Sequence, residues 1–186
     1  MKNNKVQLIA FGGIFVAMNI VLGIITSALK LPLYLDTFGT VMMAVLMGPV
    51  PAAIVGSLSN IITGFIYSPT DIPFFIVNAA LGLIVGFAAR KWKFTLSVAV
   101  ILGLCLSVIC PVIGTPIGIL IYGGLNGSWS DVAVLAMRQA GQSIFAASFI
   151  RNIASNLVDK IGTCVLAWAV LQAVPAGFKS KAALQR

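Results

Sequence analysis

The sequence predicts an all-α integral membrane protein in which six helices form one bundle. Of its 186 residues, 60% are hydrophobic and only 9% are charged, whereas a soluble domain carries about 25% charged residues. The apolar residues fall into long stretches, and a helix needs roughly 20 such residues to cross a bilayer. Short connections containing Pro, Gly or basic residues separate these stretches. We therefore expect residues 1–186 to form a single transmembrane domain.

Six spans are predicted from these stretches, and two of them are irregular. They cover approximately residues 7–29, 37–48, 51–67, 74–89, 95–122 and 143–174. The second is short for a bilayer, which indicates a helix that is buried among others or completed by a structured loop. The fifth contains Pro111 and Pro116, and proline inside a helix kinks or locally unwinds it. Residues 131–142, between the last two spans, show an amphipathic pattern.

The first span has a face of small residues. Gly13 and Ala17 are four positions apart and therefore share one side of a helix. Small residues at this spacing let a second helix approach closely, which is a common contact between helices in lipid. This face predicts a partner surface within the membrane.

The basic residues indicate how the chain is oriented. The net charge is +8, but the Lys and Arg residues lack the aromatic-interleaved basic face of a nucleic-acid-binding protein. Three basic clusters lie at residues 2–5, 90–93 and 179–186. Six crossings put all three on one side, and basic residues collect on the cytoplasmic side of membrane proteins. Both termini are therefore predicted to be cytoplasmic, and no nucleic acid is expected as a partner.

Residue usage argues against an enzyme and against a bound metal or cofactor. The chain has no His and no Glu, and it has no Gly-x-x-x-x-Gly-Lys-Ser/Thr phosphate loop. The usual membrane metal sites, His-dependent catalysis and P-loop ATP hydrolysis are then all disfavoured. The cysteines, Cys105, Cys110 and Cys164, fall within apolar stretches and predict no disulfide. ATP-driven transport by this chain would need energy from other subunits.

The last span has polar residues on a shared face. Asn152, Asn156 and Lys160 repeat every four residues, and Arg151 and Asp159 lie beside them. Ionisable and amide groups at membrane depth face the bundle interior or a cavity. We interpret Asp159 and Lys160 as a structural ion pair, and we expect Arg151, Asn152 and Asn156 to contact a substrate.

Further candidate binding residues lie near the predicted outer ends of other spans. Together they would form a cup with aromatic faces for stacking and amides for hydrogen bonding to a small heterocycle. Singly, the aromatic residues could be interfacial and the Asn-Gly pair a turn. The candidates are Tyr34, Asp36, Thr37, Asn78, Asn126 and Trp129.

A series of short segments along nearly the whole chain indicates a family. They are Gly13-x-x-x-Ala17, Leu-Tyr-Leu-Asp-Thr-Phe-Gly-Thr at 33–40, Gly-Pro-Val-Pro-Ala-Ala at 48–53, residues 73–86, Tyr-Gly-Gly at 122–124, Asn-Leu-Val-Asp-Lys at 156–160, and Pro175. In order and in overall length the chain resembles the S components of energy-coupling factor (ECF) transporters.

This resemblance implies a six-helix bundle that binds a water-soluble vitamin or precursor near the outside of a prokaryotic plasma membrane. It implies docking through Gly13 and Ala17 onto a membrane T component coupled to two ATPase subunits. The usual family motif has alanine at both positions, so Gly13 departs from it. The segments at 34–37 and 156–160 are most similar to the branch for hydroxymethylpyrimidine and pyridoxine-like compounds. Pantothenate, riboflavin and cobalamin stay open as alternatives.

Two other classes of function stay open at this point. The chain could be a structural or assembly subunit without a ligand, whose glycine faces pack subunits and whose polar residues join helices. A membrane enzyme using Asp159 as an acid or base is the third hypothesis, and the absence of His from the sequence disfavours it.

Overall fold

The structure is a computed structural model that describes residues 2–29, 31, 33–125 and 130–174. Within these residues the secondary structure is helical throughout, which confirms the predicted all-α class. The α-helices are α1 (Lys2–Ala28), α2 (Phe38–Met47), α3 (Pro49–Ile66), α4 (Phe75–Lys91), α5 (Leu96–Tyr122), α6 (Asp131–Gln139) and α7 (Ile144–Ala173). A 3-10 helix, Pro69–Phe74, precedes α4.

Within the part of the chain that the structure describes, five segments are long and apolar enough to cross a membrane. They are Lys5–Ala28, Pro49–Ile66, Pro69–Lys91, Leu96–Tyr122 and Ile144–Ala173. The sixth apolar helix, α2, has only 10 residues and is therefore about 15 Å long, half the thickness of the hydrocarbon layer. The protein is thus a multi-pass membrane protein with one short apolar helix among its long ones.

Local sequence explains where the long helices begin. The side chain of Thr95 accepts a hydrogen bond from the backbone N–H of Val98 at the start of α5. Ser143 does the same for Ala146 at the start of α7. Both caps satisfy a backbone donor that has no partner within the helix. The predicted local unwinding of the fifth span does not occur, because α5 continues as one α-helix through Pro111 and Pro116.

Glycines bring the helices into close contact. A Cβ at Gly86 would collide with the backbone of Pro49, and one at Gly82 with the backbone of Ala52, so α4 packs directly on α3. Close packing of backbones replaces the hydrophobic drive that lipid cannot supply.

The helices form two groups. Helices α1 to α4 pack mainly on one another, whereas α5 packs mainly on α7 and α6 lies against α7. The groups meet through contacts of α2 with α7, of α4 with α5, and of the 3-10 helix with α5.

A buried polar network joins the first four helices. Asn19 of α1 donates to Thr40 and Ser59, at 2.9 and 3.0 Å, and accepts from the backbone N–H of Gly39. Thr40 donates to Asn78 at 2.8 Å, and Asn78 donates in turn to Asn60 at 2.9 Å. Polar groups that lipid cannot solvate are thus paired inside this group.

Candidate functional site

A cleft lies where α5 ends and α7 begins. It encloses about 350 Å³ of space, including its open mouth. The α5 wall consists of Gly114, Thr115, Gly118, Ile119 and Tyr122, and the α7 wall consists of Ser148, Arg151 and Asn152, with Phe74 and Gly124 completing the lining. Since α5 starts just after Lys93, the cleft lies at the end of the bundle opposite the basic turn at residues 90–93. We refer to this site as the cleft.

Arg151 is the charged residue among the described residues that line the cleft. Its Nε and Nη2 donate to Oδ1 of Asn152 at 3.2 and 2.9 Å, and its Nη1 donates to Oδ1 of Asp131 at 2.5 Å. Nδ2 of Asn152 donates to the hydroxyl of Thr115 at 2.9 Å, which links α7 to α5. These bonds fix both side chains in one orientation before any ligand binds.

An aromatic pair forms another part of the lining. The rings of Phe74 and Tyr122 are stacked with centroids 6.2 Å apart. The Tyr122 hydroxyl donates to Asp71 at 2.7 Å and accepts from the hydroxyl of Thr70 at 2.9 Å, both in the 3-10 helix. The 3-10 helix therefore holds the Tyr122 ring in place, and the cleft combines flat apolar surface with fixed polar groups. This combination is typical of small-molecule sites.

The polar face of α7 continues below the cleft. Nδ2 of Asn156 donates to the backbone carbonyl of Asn152, so Asn156 lies one turn deeper. A further turn on, Lys160 and Asp159 are buried, with Nζ of Lys160 2.6 Å from Oδ2 of Asp159. Nζ also donates to the hydroxyl of Thr37 at 3.2 Å. The lysine charge is thus held between groups of α7 and of the segment before α2.

Asp159 also holds the α1–α2 loop, by which we mean residues 33–37. Its Oδ1 accepts hydrogen bonds from the backbone N–H groups of Tyr34 and Leu35, at 2.7 and 2.9 Å. Asp159 lies near the middle of α7, so the loop descends into the bundle to reach it. This depth explains the short α2, because the loop already covers part of the crossing.

The residues predicted for the site are separated in the structure. Arg151 and Asn152 line the cleft, and Asn156 lies below them. Tyr34, Asp36 and Thr37 lie in the α1–α2 loop, where Oδ1 of Asp36 is 3.8 Å from Nζ of Lys160.

The other three predicted binding residues are elsewhere. Asn78 is only 3% exposed and belongs to the buried polar network of α1 to α4, not to the described lining of the cleft. Asn126 and Trp129 lie outside the described residues.

Of the ten lining residues only Arg151 and Asn152 were predicted, and the missed ones include four with polar groups or rings, namely Phe74, Thr115, Tyr122 and Ser148. Thr115 had a usable signal, because it is a polar residue between two prolines in a mostly apolar helix, and such a group must face protein or a cavity. Phe74 and Tyr122 had no such signal, since single aromatic residues near span ends are common.

The small residues of α1 face away from the bundle. Gly13 and Ala17 are exposed, and a Cβ at Gly13 would meet no atom within 4 Å. In α1, 17% of the residues in the apolar window are buried, against 28–39% in the other four spans. This face is therefore available to lipid or to another membrane protein.

The donor set of the described residues suits binding better than chemistry. No group of three or more His, Cys, Asp or Glu side chains within it could hold a metal ion. The cleft offers hydroxyls, an amide, a guanidinium and aromatic rings, which recognise a ligand by hydrogen bonding and stacking.

Comparison with known proteins identifies the family. A family model described as "ECF-type riboflavin transporter, S component" matches residues 3–172. Comparison with curated proteins and with solved structures gives no match. The family match covers nearly the whole chain and confirms the resemblance to ECF S components. The chain therefore belongs to the family of S components of ECF-type riboflavin transporters.

Proposed function

We propose that this protein captures riboflavin, or a vitamin of similar chemistry, from outside the cell and delivers it to an ATP-driven importer. The observation that supports this most is the cleft itself, in which fixed donors on Arg151 and Asn152 adjoin the rings of Phe74 and Tyr122. Membership of the riboflavin S-component family supports the choice of ligand.

Riboflavin matches the groups in the cleft. Its ring system is flat, uncharged and aromatic, and one edge presents two carbonyl oxygens on either side of an N–H. Aromatic side chains stack on such a ring, while guanidinium, amide and hydroxyl groups satisfy its edge. Thr115 and Ser148 lie in the same lining and can serve as either donor or acceptor.

Hydroxymethylpyrimidine and pyridoxine-like compounds form the second candidate ligand class. The segments at 34–37 and 156–160 favour this branch, and both compounds are small heteroaromatic alcohols that would use the same donors. They are smaller than riboflavin and would cover less of the aromatic lining. Direct competition between the two classes for one site therefore decides between them.

Energy would come from partners. S components of ECF transporters work with a membrane T component and ATPase subunits, and we propose that α1 docks on the T component through Gly13 and Ala17. Both residues are exposed, and close helix contact needs small side chains. In this arrangement the cleft opens to the outside of a prokaryotic plasma membrane, and the basic turn at residues 90–93 faces the cytoplasm.

A binding titration on the purified protein tests this proposal. Riboflavin fluorescence should be quenched on binding, with a sub-micromolar Kd, and excess pyridoxine or hydroxymethylpyrimidine should not displace it. Asn152→Ala should raise the Kd by about tenfold or more, since it removes a donor and leaves Arg151 without its amide partner. The control Gln172→Ala, at an exposed position at the far end of α7, should bind as the wild type does.

Three results would count against the proposal. Displacement of riboflavin by pyridoxine at equal concentration would favour the smaller ligand class. The structural hypothesis would gain if Asn152→Ala and Asn156→Ala lowered the unfolding temperature while uptake by cells stayed normal. No binding of any water-soluble vitamin would rule out the transport function.

A further inference from the structure

The ion pair between Arg151 and Asp131 joins the cleft to a helix outside it. Arg151 lies in the cleft lining, whereas Asp131 is the first residue of α6 and is not among the described lining residues. Both side chains are largely buried, at 7% and 15% exposure. The carboxylate therefore offsets the positive charge of the cleft without being part of the lining.

Burial makes this offset strong. A buried guanidinium without a counter-charge is costly, and removal of one partner of such a pair leaves the other charge uncompensated. Asn152 bonds to Nε and Nη2 of Arg151 but has no charge, so among these contacts Asp131 alone supplies the compensating charge.

We propose that Asp131 determines the charge selectivity of the cleft: by neutralising Arg151, it lets the site accept an uncharged solute and exclude the phosphate ester of that solute. This inference rests on the proposed function, because it requires a ligand in the cleft. Asp131 acts through Arg151 and is a specificity-determining residue that need not touch the ligand.

Without the Asp131 carboxylate, the positively charged cleft should favour the phosphate ester over the uncharged solute. Arg151 without Asp131 would present an uncompensated guanidinium, and guanidinium groups bind phosphate in a strong, bidentate manner. With Asp131 in place, a phosphate entering the cleft would face a carboxylate beside that guanidinium. Like charges placed close together in an interface are strongly disfavoured.

The test compares riboflavin with riboflavin 5′-phosphate, both of which are fluorescent, on the full-length protein in detergent or nanodiscs. The wild type should bind riboflavin at least about tenfold more tightly than the phosphate. Asp131→Asn keeps the size and an acceptor oxygen but removes the charge. It should reduce this preference by at least about tenfold.

Two further variants isolate the pair. Asp131→Asn combined with Arg151→Gln removes both charges, and the gain in phosphate binding should disappear. Gln142→Lys adds one positive charge at an exposed position after α6 and should leave the preference unchanged, which separates the ion pair from a general change in net charge. If Asp131→Asn does not fold, Asp131→Ser removes the same charge.

The outcomes distinguish the two proposals. Wild-type protein that binds no riboflavin, and no pyridoxine in the parallel titration with pyridoxine 5′-phosphate, would overturn the proposed function. Wild-type protein that binds a vitamin and its phosphate equally would overturn this inference alone. This inference would also be overturned if a folded Asp131→Asn or Asp131→Ser variant kept the wild-type preference for the vitamin over its phosphate.

Discussion

Asp159, near the middle of the last helix, accepts a hydrogen bond of 2.7 Å from the backbone N–H of Tyr34, 125 residues earlier in the chain. The same carboxylate pairs with Lys160 through its other oxygen. One side chain therefore fixes the α1–α2 loop at depth and compensates a buried cation. Removal of the Asp159 carboxylate should therefore lower the free energy of unfolding.

Asp159→Leu should lower the free energy of unfolding by about 3 kcal/mol, because it takes away the nearer carboxylate of the buried Lys160 charge and leaves only Asp36, at 3.8 Å. The double variant Asp159→Leu with Lys160→Met should recover part of that loss, since the buried cation is removed as well; the recovery is partial because Asp36 then loses its counter-charge. Denaturant titration in mixed micelles measures both values. Lys93→Met removes an exposed charge and serves as the control. A double variant less stable than the single one would contradict the ion-pair interpretation.

Truncation of Asn78, unlike truncation of Asn152, should lower stability and leave ligand binding nearly unchanged. Asn78→Ala breaks bonds to Thr40 and Asn60 inside the first helix group. Hydrogen bonds within membrane proteins contribute about 0.6 kcal/mol each, so stability should fall by about 1 kcal/mol. Because Asn78 is outside the described cleft lining, the riboflavin Kd should change by less than about twofold. A large rise in Kd for Asn78→Ala would show that this residue contributes to ligand binding after all.

Tyr122→Phe should weaken binding while keeping the aromatic ring. The change removes the hydroxyl that donates to Asp71 and accepts from Thr70, so the ring loses its fixed position. Loss of about 1 kcal/mol corresponds to a Kd about fivefold higher, and stopped-flow fluorescence should show most of it as faster dissociation. Tyr122→Ala removes the ring as well and should be weaker still. Equal affinity for wild type and Tyr122→Phe would show that the hydroxyl has no positioning role.

Gly13→Leu should abolish uptake without affecting ligand binding. The exposed position has room for the new side chain in the isolated protein, but a bulky residue would hold a docking helix away. Riboflavin titration of the purified variant should match the wild type, while uptake by cells that also express the T component and ATPase subunits should be lost. Ala154→Leu makes a similar change at an exposed position of α7 and should transport normally. Normal uptake by Gly13→Leu would remove α1 from the proposed docking surface.

Hydropathy and residue spacing predicted the class of protein, since long apolar stretches in a chain with 9% charged residues allow little else. The family was also recognisable from short segments, and the family match confirms it. Polar spacing on the last helix predicted a shared face for Asn152, Asn156 and Lys160, because residues one turn apart share a side; of the polar residues predicted there, Arg151 and Asn152 line the cleft.

The partners of these residues could not be predicted in the same way. Asp131 bonds to Arg151 across 20 positions and Thr115 to Asn152 across 37, and a periodic pattern gives no distance between separate helices. The descent of the α1–α2 loop into the bundle could not be predicted from the sequence either, because it depends on a contact with Asp159 far along the chain. Asn19, which joins three helices, is a single polar residue within an apolar span, and its sequence neighbourhood gives no partner for it.

The division into two helix groups has a consequence for thermal stability. Each group has its own interior contacts, and the described cleft takes Phe74 from the first group and most of its lining from the second. A vitamin bound against Phe74, Asn152 and Arg151 would touch both groups at once. Ligand should therefore raise the melting temperature by holding the two groups against each other.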